Sequence, residues 1–305
     1  MQCLIIGYGS IGKKHAQILK HLGHDVVLLT KQTINDFKVY QTIDMVLEKH
    51  HVDYVVVANE TYLHYQSLCD LIRCRFDGTV LVEKPIFSKP EILPAHQMKH
   101  IFVAYNLRFC ELLLDAKKMI EQDTLISFST YVGHYLPAWR KDTDYRNCYS
   151  SKAEFGGGVL RDLSHELDYA TWFCGECLEV TALGGHYSDL QINSDDIYSI
   201  LMRCVSCPIV NLQINYLDRI KKRDIFIQTK KHTIYLDLIH GVMNIDGVRK
   251  QYDDVLNNTY IKQHEAILSQ EFDHLCCYEK GFSVVNLIDK ISHANEVKQW
   301  ISLCE

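Results

Sequence analysis

The sequence predicts a doubly wound α/β domain followed by an α+β domain with a large, mostly antiparallel open sheet. Three observations carry this expectation. Short apolar runs alternate with amphipathic stretches over the first hundred residues, as in a parallel sheet buried on both faces. A Gly-x-Gly-x-x-Gly run sits at the first such junction. Beyond residue 120, strand-like segments follow one another with turn residues and few helices between them, which is the pattern of an antiparallel sheet. A length of 305 residues suits two domains of about 150 residues each.

Residues 3–6 read as an apolar strand ending in glycines, and residues 11–22 as a helix stopped by Gly23. Strands at 26–29 and 52–58 flank a helix at 43–49, and a helix at 64–74 precedes strands at 79–82 and 101–104. A helix at 107–121 closes this part, so the expected domains are 1–120 and 121–305. In the second, strands are expected at 125–133, 178–187, 195–205, 209–217, 224–230, 233–238 and 242–245. One helix, 160–173, interrupts them, and two more, 260–278 and 284–303, end the chain.

Apolar residues make up 47% and charged residues 23% of the chain, which is material for a packed core and not for a disordered or fibrous chain. Lys+Arg total 32 and Asp+Glu 38, a net charge of −6. Without a basic tail, that balance points away from nucleic acid. No apolar run reaches the roughly 18 residues of a membrane span, and no basic segment precedes the first apolar run as in a secretory signal. A cytoplasmic protein is expected, its twelve cysteines reduced and mostly buried.

Gly7-Tyr8-Gly9-Ser10-Ile11-Gly12 follows the first strand and opens the first helix. Glycines at this spacing permit a tight turn, close approach of the backbone to a pyrophosphate, and close helix–sheet packing. The helix amides then face the diphosphate. The first domain is therefore expected to be a Rossmann domain that binds NAD(P). The second strand ends Leu29-Thr30-Lys31-Gln32, without the carboxylate that usually holds the ribose 2′-hydroxyl. Lys31 suits a 2′-phosphate, which leans the expectation towards NADP. The alternative is a solvated Lys31 with Asp36 reaching back.

Four further segments carry a resemblance. They are Ala58-Asn59-Glu60-Thr61 with His64, Glu83-Lys84-Pro85, Tyr105-Asn106-Leu107-Arg108-Phe109, and the run from Gly156-Gly157-Gly158 through Asp162 and His165 to Asp168. Together with the glycine loop they resemble the glucose–fructose oxidoreductase/inositol dehydrogenase/MocA (Gfo/Idh/MocA) family, in particular members linked to surface-polysaccharide or sialic-acid-like sugars. The resemblance implies that Lys84 is catalytic, polarising a substrate oxygen and stabilising alkoxide charge, with Glu83 balancing it. It implies His165 as general acid or base. Asp162, three residues earlier, would orient His165 from the same helix face or touch substrate, although many members space the two by four. Asp168 is expected only to support the site.

The implied cofactor contacts are Gly7, Gly9, Ser10, Ile11, Gly12, Thr30, Lys31, Asn59, Thr61, His64, Glu83, Lys84 and Asn106. The implied substrate contacts are Arg108, Trp139, Arg140, Tyr145, Arg146, Tyr149, Asp162 and His165, with Arg161 adding positive charge. Aromatic faces and guanidinium forks suit a sugar carrying a carboxylate or phosphate. The plain alternative is a surface loop held by arginine ion pairs.

Cys174-Gly-Glu-Cys177 and Cys204-Val-Ser-Cys207 invite a zinc reading. The intervening residues, 178–203, exceed the spacing of about 15–20 in such ribbons. One pair ends a helix, the other falls near a hairpin turn, and nothing in the sequence places them together. No metal is expected.

The expected function is NAD(P)-dependent oxidoreduction at a hydroxyl or carbonyl of a sugar, acidic sugar or nucleotide sugar in surface glycan biosynthesis. The active site is expected in the cleft between the halves, where Lys84, Arg108, Arg140, Arg146 and Arg161 would form a positive pocket. A cyclitol dehydrogenase and a non-catalytic dinucleotide sensor are the alternatives; the presence of both Lys84 and His165 favours turnover. Neither nucleic acid nor membrane is expected as a partner, and a dimer or tetramer through the C-terminal sheet is.

Overall fold

The computed structural model describes residues 1–140, 143–253 and 255–303. The chain begins β1 (Gln2–Ile6), α1 (Ser10–His21), β2 (Asp25–Leu29), β3 (Lys38–Tyr40), α2 (Ile43–Leu47), β4 (Tyr54–Val57), α3 (His64–Arg73), β5 (Thr79–Val82) and β6 (His100–Val103). It continues with α4 (Glu111–Ile120), β7 (Leu125–Gly133), α5 (Val159–Asp162), α6 (His165–Cys174), β8 (Cys177–Gly185), β9 (Ile197–Cys204) and β10 (Cys207–Asn215). Next come β11 (Lys222–Thr229), β12 (Thr233–Asp237), β13 (Val242–Ile245) and β14 (Val248–Gln251). Last are α7 (Thr259–Ser269), β15 (Cys276–Cys277), α8 (Tyr278–Val297) and β16 (Ile301–Ser302). No helix among the described residues is long and apolar enough to cross a membrane.

One compact unit is built from Met1–Asn106 and Tyr260–Val285. Its sheet has the order β15-β6-β5-β4-β1-β2-β3 and is parallel except for β15 at one edge. Consecutive residues of the inner strands, such as Leu4-Ile5 and Val55-Val56, are fully buried, so both faces of the sheet are covered. The strand order reverses between β1 and β4. At such a switch point, ligands bind outside the carboxyl ends of the strands. Helix α1 buries Gly12, His15, Ala16 and Leu19, one stripe of an amphipathic helix.

The other unit comprises Leu107–Thr259 and the chain from Asn286 onward. Its nine strands run β14-β13-β12-β11-β7-β10-β9-β8-β16. Only β10 and β7 pair in parallel. One face packs on α6, where Phe128 meets Tyr169 and Phe173 at 6.3 and 5.6 Å between ring centroids. The other face is open, so strands such as β9 alternate buried and exposed positions.

Several sequence expectations are replaced by particular local geometry. The break falls after Asn106 and not at residue 120, and the chain re-enters the first unit at Tyr260. There β15 extends the first sheet beside β6, a long-range pairing that local periodicity does not encode. The helix read over 107–121 is divided by Cys110, whose backbone is extended at φ −74 and ψ 117. The helix read over 260–278 ends at Ser269, beyond which Gln270 is left-handed at φ 63.

A further division alters the site itself. The helix read over 160–173 breaks at Leu163, with φ −101 and ψ 30. Asp162 ends α5 and His165 begins α6, so the shared helix face expected from their spacing does not exist.

Candidate active site

The glycine loop after β1 closes on the loop after β4. Gly7 has φ +92, and a Cβ there would stand 2.6 Å from the Asn59 backbone. A Cβ on Gly12 would collide with the Gly7 carbonyl, whereas one on Gly9 meets nothing within 4 Å. Gly7 and Gly12 are thus required by the protein's own packing, and Gly9 leaves room for a ligand. Helix α1 starts at Ser10 with no side-chain cap, which leaves first-turn amides at Ser10 and Ile11 to an anion. Asn59 donates to Ser67 Oγ at 2.9 Å, while its buried Oδ1 has no hydrogen-bond partner among the described residues. A buried acceptor of this kind is normally satisfied by a ligand or water. These features fit a dinucleotide.

At the end of β2, Thr30 Oγ1 accepts from the Gln32 amide at 3.3 Å, and Lys31 is exposed. The ring of Phe37 stands edge-on to Tyr8 at 6.0 Å. Burial and the nearby Asp36 carboxylate both push the Tyr8 hydroxyl above its usual range. The loop carrying Asp36 therefore lies against the glycine loop. Thr61, His64 and Asn106 are buried. His64 places Nε2 3.1 Å from the Asn59 carbonyl and Nδ1 3.1 Å from that of Pro85, tying the loops after β4 and β5 together.

The Lys84–Pro85 peptide bond is cis. Glu83 Oε2 accepts from the Lys84 amide at 3.1 Å, and Oε1 lies 2.9 Å from His15 Nε2. His15 Nδ1 is 2.8 Å from His264 Nε2, and His264 Nδ1 is 3.0 Å from the Tyr54 hydroxyl. All four side chains are buried. Burial alone would raise the Glu83 carboxyl, but the hydrogen bond and charge of His15, with Lys84, hold it below its ordinary value. His15 and His264 escaped the sequence reading, although His15 occupies a position on the apolar stripe of α1.

Burial and the neighbouring His15 hold His264 well below the ordinary histidine value of 6.5. The sign follows from linkage. As the pH falls below about 6.5, the unfolded chain binds a proton that the folded protein refuses, so stability declines. The contribution is at most about 1.4 kcal/mol per pH unit. Urea midpoints of the wild type should fall across this range, and His264→Gln should flatten the decline.

In the second unit, buried Asp162 accepts the Tyr216 hydroxyl at 2.6 Å and the hydroxyl of Tyr149. Burial and the Asp162 charge keep both phenols protonated, well above their usual range. The glycine triplet makes this possible. A Cβ on Gly157 would strike the Tyr149 carbonyl, and Gly158, at φ +116, lies against Asp195. Asp195 Oδ2 in turn accepts the Leu160 amide at 3.1 Å. His165 is buried at the first position of α6. Tyr216 and Asp195 were not anticipated; the Asp195-Asp196 doublet was a weak signal, and Tyr216 gave none.

Two of the cations expected in the positive pocket are engaged in ion pairs. Arg108 is buried and donates Nε and Nη2 to Asp168, the shortest contact being 2.7 Å. Its charge is spent inside the protein, and Asp168 supports Arg108. Arg146 is exposed and donates to Asp144 at 2.6 Å. Trp139, Arg140 and Tyr145 do converge, lining one small pocket with Leu136 and Ser150. Trp139 stacks on His134 and meets Tyr216 edge-on at 5.2 Å. Asp168→Ala would remove the carboxylate that pairs the buried Arg108 guanidinium and should cost about 3–5 kcal/mol in urea unfolding.

Comparison with known proteins matches residues 1–109 to the profile described as oxidoreductase family, NAD-binding Rossmann fold. Residues 113–235 match that of the GFO/IDH/MocA C-terminal domain. No curated protein sequence matches the chain. Solved structures with a similar fold include GenD2 from gentamicin A biosynthesis in complex with NAD, at 18% identity and TM-score 0.82, covering 100% of this chain and 97% of that one. Levoglucosan dehydrogenase with NADH and L-sorbose aligns at 14% identity and TM-score 0.84, covering 99% and 98%. The WlbA dehydrogenase from Bordetella pertussis with NADH and UDP-GlcNAcA aligns at 17% identity and TM-score 0.80, covering 100% and 99%. At these identities the likeness concerns the fold.

Proposed function

Because the chain belongs to the Gfo/Idh/MocA oxidoreductase family, with its NAD-binding Rossmann domain and C-terminal domain, we propose that it oxidises or reduces a sugar. The substrate class is an acidic sugar or nucleotide sugar, used in a cytoplasmic step of surface glycan synthesis. The observation that carries the reading is the glycine loop at the β1/β4 switch point, closed on Asn59 with open space at Gly9. The bound dinucleotide supplies the hydride acceptor or donor. Lys84, its loop anchored by Glu83, polarises the reacting substrate oxygen through Nζ. The His165 imidazole takes the hydroxyl proton in oxidation and returns it in reduction. Asp162, held by two tyrosine hydroxyls, orients the sugar.

Trp139, Arg140 and Tyr145 are the sugar-facing groups in this reading, with exposed Arg140 receiving the anionic group. The reading is tested by turnover of nicotinamide dinucleotides over acidic sugars, nucleotide sugars and cyclitols. Tight cofactor binding with no turnover on any of them would make the protein a sensor.

Exposed Lys31 extends the proposal to a preference for NADP. Lys31→Asp should reverse the ratio of dissociation constants for NADP and NAD by about tenfold or more, roughly 1.4 kcal/mol. An unchanged ratio would favour ribose binding by Asp36. The proposal includes self-association through the open sheet face. There the registers align Leu183, Leu201, Ile209 and Phe226 on one side, all exposed.

A further inference from the structure

The two Cys-x-x-Cys segments, which the sequence left apart, are neighbours in the structure. Cys177 and Cys204 are partners across the β8–β9 ladder, and Cys204 and Cys207 are partners across the β9–β10 hairpin. The two intervening turns lie back to back: the Val205 amide donates to the Glu176 carbonyl at 3.0 Å, and the Ser206 amide to that of Cys174 at 2.8 Å. Gly175, at φ +80, lets them approach this closely. The thiols of Cys174 and Cys207 are near enough to interact, as are those of Cys177 and Cys204. Cys174, Cys204 and Cys207 are 0%, 3% and 1% exposed.

We propose that Cys174, Cys177, Cys204 and Cys207 form a structural tetrathiolate site for a thiophilic divalent cation of the zinc type. Two Cys-x-x-Cys turns facing each other are how such sites are built. Among the described residues, no set of three or more His, Cys, Asp or Glu side chains is arranged in metal-holding geometry. The Cys177 thiol instead donates to the Glu179 carbonyl and the Cys207 thiol to the Ile209 carbonyl, each at 3.4 Å, and metal entry releases both hydrogen bonds. Four S–H bonds break, four metal–sulfur bonds form, and the protons pass to solvent.

The resulting tetrathiolate carries excess negative charge, and Lys117 is placed to offset it. Its half-buried ammonium donates to the Trp172 carbonyl at 3.0 Å and interacts electrostatically with Cys174. Burial of Cys174, Cys204 and Cys207 limits the access of oxidants to the cluster. The site lies in the second unit, among residues the proposed reaction does not use.

The test is metal analysis of the full chain, purified under reducing conditions without chelator. The expected result is about one zinc per chain. Cobalt loading should give the intense sulfur-to-metal charge-transfer bands of a tetrathiolate. Cys177→Ser and Cys204→Ser should lower the content at least about fivefold, while Cys69→Ser, outside the cluster, leaves it unchanged. Because the cluster variants can fail to fold, stoichiometry and the cobalt spectrum of the wild type decide the matter. Wild-type protein that is metal-free with four reactive thiols at this site would overturn the proposal. So would a mass showing two disulfides, 174–207 and 177–204, or metal content unaffected by the cluster variants.

Discussion

Lys84→Met should lower kcat by about 10²–10³-fold, because it removes a preorganised positive charge aimed at the oxygen that becomes alkoxide-like. The dissociation constant of the dinucleotide should move little, since the glycine loop and Asn59 remain in place. The comparison to make is kcat against cofactor affinity in the same preparation. Lys84→Arg is the informative control: it keeps the charge but spreads it over a fork, so partial recovery is expected. Equal losses of cofactor binding and kcat would instead assign Lys84 a binding role.

His165→Asn should cost about 10²–10⁴-fold in kcat, the range for loss of a positioned general acid or base. Its separate signature is the pH profile. In the wild type, kcat/KM for alcohol oxidation should fall as the imidazole becomes protonated at low pH. In His165→Asn that limb should vanish. Asp162→Asn should have a smaller effect, expressed mainly in KM, because its single oxygen still accepts a tyrosine hydroxyl and its amide nitrogen can donate to the other.

Much of the first unit was legible because parallel strands buried on both faces write themselves as short apolar runs, and the glycine loop marks the first turn. The strand 79–82 and the strands 125–133 and 242–245 coincide with observed elements. What was not legible depends on distant residues. The pairing of β15 with β6, and the contact of His264 with His15, join segments more than 150 residues apart, and neither has a local pattern. His15 reads as a polar interruption of the α1 stripe, yet it is buried because His264 and Glu83 satisfy both ring nitrogens.

The second half of the site shows the same division. Asp162 and His165 are three residues apart, and helical periodicity put them on one face; the turn at Leu163-Ser164 separates them. Arg108 and Arg146 read as a substrate-binding charge, since a sequence gives the count of guanidinium groups and not their partners. Asp168 and Asp144 take those charges up. The glycine triplet was visible, but its reason was not: Gly157 and Gly158 are small because Tyr149 and Asp195 lie against them.

The central claim, hydride exchange between a bound nicotinamide and a sugar carbon, is tested most directly by isotope transfer. Dinucleotide reduced with deuterium at the nicotinamide C4 is incubated with protein and a panel of oxidised acidic and nucleotide sugars, and the product is read by mass spectrometry. Wild-type protein should give a product carrying deuterium at the reduced carbon. Lys84→Met and His165→Asn should form it at least about a hundredfold more slowly. Deuterated product formed at the wild-type rate by both variants, or no labelled product from any sugar despite tight dinucleotide binding, would contradict the claim.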